Sequence, residues 1–433
     1  MQKITSIDEI TCSSEFEKTV TNLYGSAEGQ TERYKNLYLA HVENFNLAEG
    51  EFFSSPGRIE VIGNHTDHNH GKVLTAAISV DTLAFVTKTD DNIVRINSEG
   101  YAPFEQNLYD LSFVESEAGD SKALVKGIAK YFVDNGCNVG GFTASVTSCV
   151  PAAAGVSSSA SFELLIAEIF NVLYNDGAVS KMKKAQASQY AENVYFLKPC
   201  GLMDQSAISL GGVSMIDFEN VENPFVLGVQ YPFTDTDIVI TNTGGNHADL
   251  TSDYAAIRAE MEEVSEKFSE KYLRLVDYQK FLDAIPALQN EVSGRAIMRA
   301  MHFFEEDERV VRQVAALDRN DLNLMIEKIR VFEDHIEVQL KADIDSLLKT
   351  GALPEDAVNF NSGTENSESQ LVGADDSVRP RVDVGIDPYE TEIVQGAAHR
   401  KDKVFRVSVI SNGDPLEIYT EKDGEVIFKK YSP

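Results

Sequence analysis

The stretch Pro56 to Leu74, PGRIEVIGNHTDHNHGKVL, concentrates hydrogen-bonding side chains in the 433-residue chain. Arg58, Asn64, His65, Asp67, His68, Asn69 and His70 lie there between two short apolar runs. Polar and small residues fill its middle, so neither a continuous helix nor a continuous strand is expected, and it reads as a loop held between strands. Neutral donors, neutral acceptors and a carboxylate are what a hydroxyl-rich ligand needs. By residue type, His65, Asp67, His68 and His70 could instead ligate zinc. Successive loop residues point in different directions, however, and no His-x3-His helical spacing is present. A solvated polar turn is the third reading.

Two further segments carry candidate chemistry. Pro151 to Ser161, PAAAGVSSSAS, runs into FELLIAEIFNVLY, whose apolar residues recur at helical spacing. A small-residue loop entering a helix N-terminus offers backbone N–H groups to an anion, and the helix dipole adds to this. An ordinary N-cap using a hydroxyl of Ser157 to Ser159 explains the same residues equally well. Asp204, in KPCGLMDQSA, sits at a loop-to-element junction among apolar residues, where a carboxylate is either a cap or an acid/base group.

With these residues in view, residues 20–332 resemble the galactokinases of the GHMP small-molecule kinase superfamily. The first stretch is similar to the signature GRxNLIGEHTDYNxGxVLP, with Gly57, Arg58, Ile62, Gly63, His65, Thr66, Asp67, Asn69, Gly71, Val73 and Leu74 in place. Asn64 stands where the family has Glu, and His68 where it has Tyr. The second stretch resembles the ATP motif P-x-x-x-G-L-S-S-S-A, through Pro151, Gly155, Ser157, Ser158, Ser159 and Ala160. The third resembles the family segment E…PCGIMDQ, and NTGGNHADLTSDYAAIR resembles a stretch whose Tyr contacts the sugar.

The resemblance implies the roles. Asp204 is the general base and Arg58 the catalytic-site arginine. Asn64, His65, Asp67, Gly201 and Tyr254 contact the sugar. A serine of the trio, Ser158, and Glu192 hold Mg2+. It also implies an ATP-dependent 1-kinase acting on galactose or a related monosaccharide, since Asn64 keeps an acceptor but loses the charge of Glu. A sugar sensor that has lost phosphate handling is the alternative. No GxxxxGK(S/T), HRD or DFG sequence is present, so ATP is not expected in a P-loop or protein-kinase arrangement. The family's third, glycine-rich motif has no counterpart after Val331, where Gly351, Gly363, Gly373, Gly385, Gly396, Gly413 and Gly424 are widely separated.

Stepping outward, the length predicts two domains and a terminal segment. Residues 15–225 mix β-rich runs (Thr82 to Thr87, Gly141 to Val150) with helices at Ser121 to Asn135, Ala160 to Tyr174 and Lys181 to Leu197. Residues 226–350 open with the strand IVITNT near Asp237 and continue as helices at Ser252 to Phe268, Gly294 to Phe304 and Asp321 to Lys349. RAMHFFEEDERV, Arg299 to Val310, carries no chemistry of its own. Residues 351–433 form a polar linker followed by a β-rich tail, VFRVSVI, LEIYT and EVIFKKY, with Asn412-Gly413 and Asp423-Gly424 as hairpin turns. The expected fold is α+β: a ribosomal-S5-like N-terminal domain and a ferredoxin-like second domain of the GHMP type, with an atypical tail.

The net charge of −31 argues against nucleic acid as a partner. No run of 18 apolar residues is present, and MQKITSIDEI lacks the features of a secretory signal, so a cytoplasmic monomer or weak homodimer is expected. Cys12, Cys137, Cys149 and Cys200 show no metal-ligand spacing and read as reduced structural thiols.

Overall fold

The computed structural model describes residues 7–152, 154–232 and 256–320 in full, together with the backbone of 238–241, 251–255, 328–331, 336–339, 404–407, 416–420 and 426–430. The architecture is α+β. Helices α1 (Ile7–Thr11), α2 (Ser14–Tyr24) and α3 (Gln30–Phe45) precede a sheet made of β1 (Glu51–Ile62), β2 (Lys72–Lys88), β3 (Ile93–Ser98), β4 (Phe104–Asn107), β5 (Phe142–Ser148), β6 (Val213–Asp217) and β7 (Phe225–Val229). The order is β4-β3-β5-β2-β6-β7, with β1 also on β2.

The long strand β2 is the spine. β1 runs antiparallel along it from Glu51↔Val86 to Ile62↔Leu74, while its other edge takes β5 at Thr82–Lys88 and β6 at Lys72–Ala76. Its run Leu83 to Val86 is continuously apolar, as a strand segment covered on both faces requires. Leu83 and Phe85 pack under α2 and α3, against Phe16, Tyr34, Leu37 and Tyr38. Ala84 and Val86 face the opposite layer, α4 (Ser121–Asp134) and α5 (Ser158–Asn175), with Val125, Ile128, Leu165 and Ile169. Phe85 is fully buried, a contribution of about 3 kcal/mol. The irregular part of the first motif is therefore only 63–71, between β1 and β2.

The expected third helix, from Lys181 to Leu197, is split. α6 (Lys181–Tyr190) passes into a π-helical turn, Ala191–Tyr195, that carries Glu192, and α7 (Met203–Leu210) follows. Such turns widen the helix locally and recur at functional sites. The second half contributes α8 (Thr251–Lys267), α9 (Tyr278–Leu288) and α10 (Gly294–Asp318), around a core including Met261, Phe281, Ile285, Ile297, Met301 and Phe303. α10 extends well past Phe304, because Val310, Val314 and Leu317 continue its apolar stripe onto Ile62, Leu74 and Ala76 of the sheet.

One expectation is corrected beyond α10. β8 (Ile238–Thr241) is present, but the helix expected over Asp321 to Lys349 is interrupted by the antiparallel pair β9 (Lys328–Val331) and β10 (Ile336–Gln339). The alternation of Ile329 and Val331, then Ile336 and Val338, is the period of a strand. β11 (Val404–Val407) pairs with β8, and β12 (Leu416–Thr420) pairs with β13 (Val426–Lys430), while the expected turns Asn412-Gly413 and Asp423-Gly424 lie outside the described residues. The polar stretch beginning at Gly351 lies outside the described residues.

Candidate active site

Arg58 lies in a short regular stretch of β1 between two register shifts, Pro56/Arg58 and Glu60/Ile62. Bulges of this kind re-aim strand side chains. The backbone of β1 also touches the second motif. A Cβ on Gly57 would meet the Val156 carbonyl at 2.8 Å, and the Arg58 N–H donates to that carbonyl at 3.2 Å. From there the guanidinium donates through Nε and Nη2 to Asp204 Oδ1 at 3.0 and 2.6 Å, and through Nη1 to the Gly155 carbonyl at 2.5 Å. Ser157 Oγ donates to the other oxygen, Asp204 Oδ2. One carboxylate thus joins three segments far apart in sequence.

The pair is shielded but not sealed: side-chain exposure is 11% for Arg58 and 35% for Asp204. Burial pushes the Asp204 carboxyl up. The Arg58 charge and the hydrogen bonds from Ser157 and Arg58 outweigh it, so the carboxyl sits below its ordinary range. Asp204 is inside the first turn of α7, whose N-cap is Leu202, so it caps nothing at that end. Ser157 is the N-cap residue of α5, in left-handed conformation at φ 61°, yet its side chain makes no cap bond. The hydroxyl expected to cap the helix goes to Asp204. Gly155, at φ +71°, makes the turn that brings the loop round.

Residues 63–71 divide into a site half and a packing half. Thr66 is buried and donates to the Gly63 carbonyl at 2.9 Å and the Lys72 carbonyl at 2.5 Å, which holds the loop closed. Asp67 opens a single 3-10 turn, and its side chain is 7% exposed. A Cβ on Gly201 would stand 1.9 Å from Asp67 Oδ2, so a side chain there would push the Asp67 carboxylate out of its present position. The His65 and His68 rings stack at 6.2 Å. Asn69 and His70 serve packing instead. Asn69 is fully buried, donating to Met261 Sδ and accepting from the Leu273 N–H, and His70 stacks on Tyr272 at 3.7 Å. Tyr254 lies on α8, where its side chain falls outside the described residues.

The loop's support comes from α10, in the segment to which sequence reading assigned no chemistry. Buried Glu306 accepts the N–H groups of Gly63 at 2.9 Å and Asn64 at 3.4 Å, and His302 Nε2 lies 2.8 Å from the Asn64 carbonyl that accepts from it. Asp307 accepts from Lys72 N at 2.7 Å and Nζ at 2.5 Å. A carboxylate on the apolar stripe between Phe303 and Val310 was the signal available for Glu306.

Near Asp204 lies a pair of acids, of which sequence reading found only one. Glu192, almost fully buried, accepts from Lys198 Nζ at 2.9 Å and Gln205 Nε2 at 2.9 Å. Gln205 Nε2 also reaches Glu163 Oε2 at 3.2 Å. Glu163, on α5, is fully buried, and its Oε1 has no hydrogen-bond partner. Burial and the neighbouring Glu192 push its carboxyl well up. Ser158, Glu192 and Glu163 offer only oxygen donors, which suits a hard cation that takes one or two carboxylates and fills its shell with phosphate and water. Among the described residues, no three His, Cys, Asp or Glu side chains converge as a closed metal cage. The four cysteines are free thiols, and burial pushes the Cys200 thiol up.

Comparison with known proteins fits this geometry. The galactokinase galactose-binding signature matches residues 39–88, and the GHMP kinases N terminal domain matches residues 123–212. The galactokinase of Homo sapiens is 32% identical over 323 residues, covering 71% of this chain and 79% of its own. The chain belongs to the galactokinase family. It is accordingly a sugar kinase. A Clostridium tetani galactokinase is 32% identical over 285 residues, 62% of this chain and 69% of its own. Among solved structures, that of Lactococcus lactis galactokinase complexed with galactose superposes with a TM-score of 0.58 at 27% identity, covering 66% of this chain and 75% of its own. The chain has the GHMP kinase fold, and the sheet and helices above are its α+β layers. Where the family's third motif is expected, only isolated strand backbones are described. Among the described residues no helix is long and apolar enough to cross a membrane.

Proposed function

We propose that this kinase transfers the γ-phosphoryl group of ATP to the anomeric C1 hydroxyl of galactose or a closely related monosaccharide. The observation that carries the reading is the Asp204 carboxylate, held by Arg58 of the sugar-loop strand and Ser157 of the phosphate loop. The sugar lies against Asn64, His65, Asp67 and Gly201, and Tyr254 is a further candidate contact. Asp204, ionised at neutral pH, accepts or orients the C1 proton. Arg58 keeps Asp204 ionised and stabilises charge on the attacking oxygen and the transferring group. The turn from Pro151 through Gly155 to Ser157, Ser158, Ser159 and Ala160 presents backbone N–H groups and the α5 dipole to the nucleotide phosphates.

Ser158 and Glu192, with Glu163 behind them, are the residues to hold Mg2+, which neutralises phosphate charge when bound. The catalytic constellation favours an enzyme over a sugar sensor, since a sensor has no use for an ionised base against the phosphate loop. We place the enzyme in the cytoplasm as a monomer or weak homodimer. The test is product identity by phosphorus NMR, with ATP, Mg2+ and a panel of monosaccharides including galactose. Sugar 1-phosphate is expected. A 6-phosphate, or no sugar phosphate at all, contradicts the proposal.

A further inference from the structure

A carboxyl that none of these roles uses lies beside the Arg58–Asp204 pair. Glu60 follows Arg58 by two positions on β1, so both side chains leave the same face of the strand, within the regular stretch between the two register shifts. Arg58, Asp67, Asp204 and Glu306 all act electrostatically on its carboxyl, which places it among the charged groups of the sugar loop and the reacting centre. Its Oε1 is buried and has no hydrogen-bond partner. Glu306 and Asp204 are engaged, Glu306 by two backbone N–H groups and Asp204 by Arg58 and Ser157. A buried acceptor left open at the edge of a ligand site is costly unless a ligand completes it.

Burial pushes the Glu60 carboxyl up to about 8. Arg58 pulls against this, while Asp67, Asp204 and Glu306 add to it. Near neutral pH the group is therefore largely protonated, and it can give as well as take a hydrogen bond. The signature that this loop resembles has Asn at position 60 and Glu at position 64. Here Glu60 and Asn64 exchange those residue types.

We propose that Glu60 is a sugar-contacting specificity residue, its carboxyl reading one ring hydroxyl of the bound monosaccharide in place of a carboxylate at position 64. The proposal rests on the kinase reading above. It predicts a hydroxyl preference set by β1 as well as by the loop.

The test is steady-state kinetics of the full chain and its Glu60→Ala variant, with galactose and its monodeoxy analogues. Glu60→Ala is expected to raise the sugar KM about tenfold or more, the scale of one buried hydrogen bond to a hydroxyl, with the ATP KM within about twofold. One monodeoxy sugar, lacking the hydroxyl that Glu60 reads, should show almost no difference between wild type and variant. Glu60→Asn, measured alongside with sugar-induced thermal protection, separates a folding defect from a binding defect and should lose protection by galactose. Sugar KM values and thermal protection unchanged in both variants would overturn the inference while leaving the kinase reading intact. A wild-type chain that phosphorylates no sugar overturns both.

Discussion

Asp81 and Asp204 each hold an arginine, and the fold puts them to opposite uses. Asp81, on β2, is 3% exposed and meets Arg33 of α3 at 2.7 Å. It also accepts from the Tyr24 hydroxyl at 2.8 Å and from Ser54, and Tyr34 joins Tyr24 at 2.9 Å. Every partner belongs to the scaffold, and together they tie α2 and α3 to the sheet. Asp204 has the same chemistry, an arginine and a hydroxyl, but is 35% exposed and stands where three motif segments meet. A closed pair contributes little net stability and is expensive to break, because removing one partner strands the other charge. An open pair leaves room for a third participant. Burial and partner identity, rather than residue type, separate the structural aspartate from the one we propose to be reactive.

The largest test of this contrast is Asp81→Ala. Arg33 would be left buried without its counter-charge, and urea unfolding should show a loss of about 3–5 kcal/mol, with kcat per folded molecule retained. Arg58→Lys should do the reverse. Lysine cannot reproduce the grip on Asp204 and Gly155, so kcat should fall about 100-fold while the urea midpoint barely moves. Gly201→Ala forces a methyl against Asp67 Oδ2 and should raise the sugar KM about tenfold in initial-rate assays, leaving the ATP KM alone.

The smallest effect concerns pH. Asp204 is lowered in the fold, so its stabilising contribution is present at neutral pH and fades only as pH falls through and below the usual carboxylate range. Glu60 is raised to about 8, so the folded state resists its ionisation. That penalty is absent below the unfolded carboxylate value of about 4.3, and it grows as pH rises toward 8. Wild type should therefore lose stability relative to Glu60→Gln between pH 6 and pH 8.5 in paired urea titrations. A constant difference would contradict the sign.

Legibility follows the same division. The loop after Arg58, the turn at Gly155 and the segment around Asp204 were readable because contiguous residues carry each pattern. Glu163, Glu306 and Glu60 were not, because their meaning depends on what the fold sets opposite them: Gln205, the Gly63 backbone and the Arg58–Asp204 pair. Asn69 and His70 looked like ligand residues by composition, yet the fold uses them for packing on Met261, Leu273 and Tyr272. The helix expected from Asp321 failed for a local reason, an alternating Ile and Val pattern that favours strands.

The central claim is that Asp204 acts in the reaction while Asp81 only holds the scaffold. Sugar 1-phosphate formation at saturating galactose, ATP and Mg2+, with Asp204→Ala and Asp81→Ala measured side by side below their unfolding transitions, tests it most directly. The account predicts a fall of about 1,000-fold in kcat per folded molecule for Asp204→Ala, and a near-wild-type kcat per folded molecule for Asp81→Ala. Turnover by Asp204→Ala within a few-fold of wild type would contradict it.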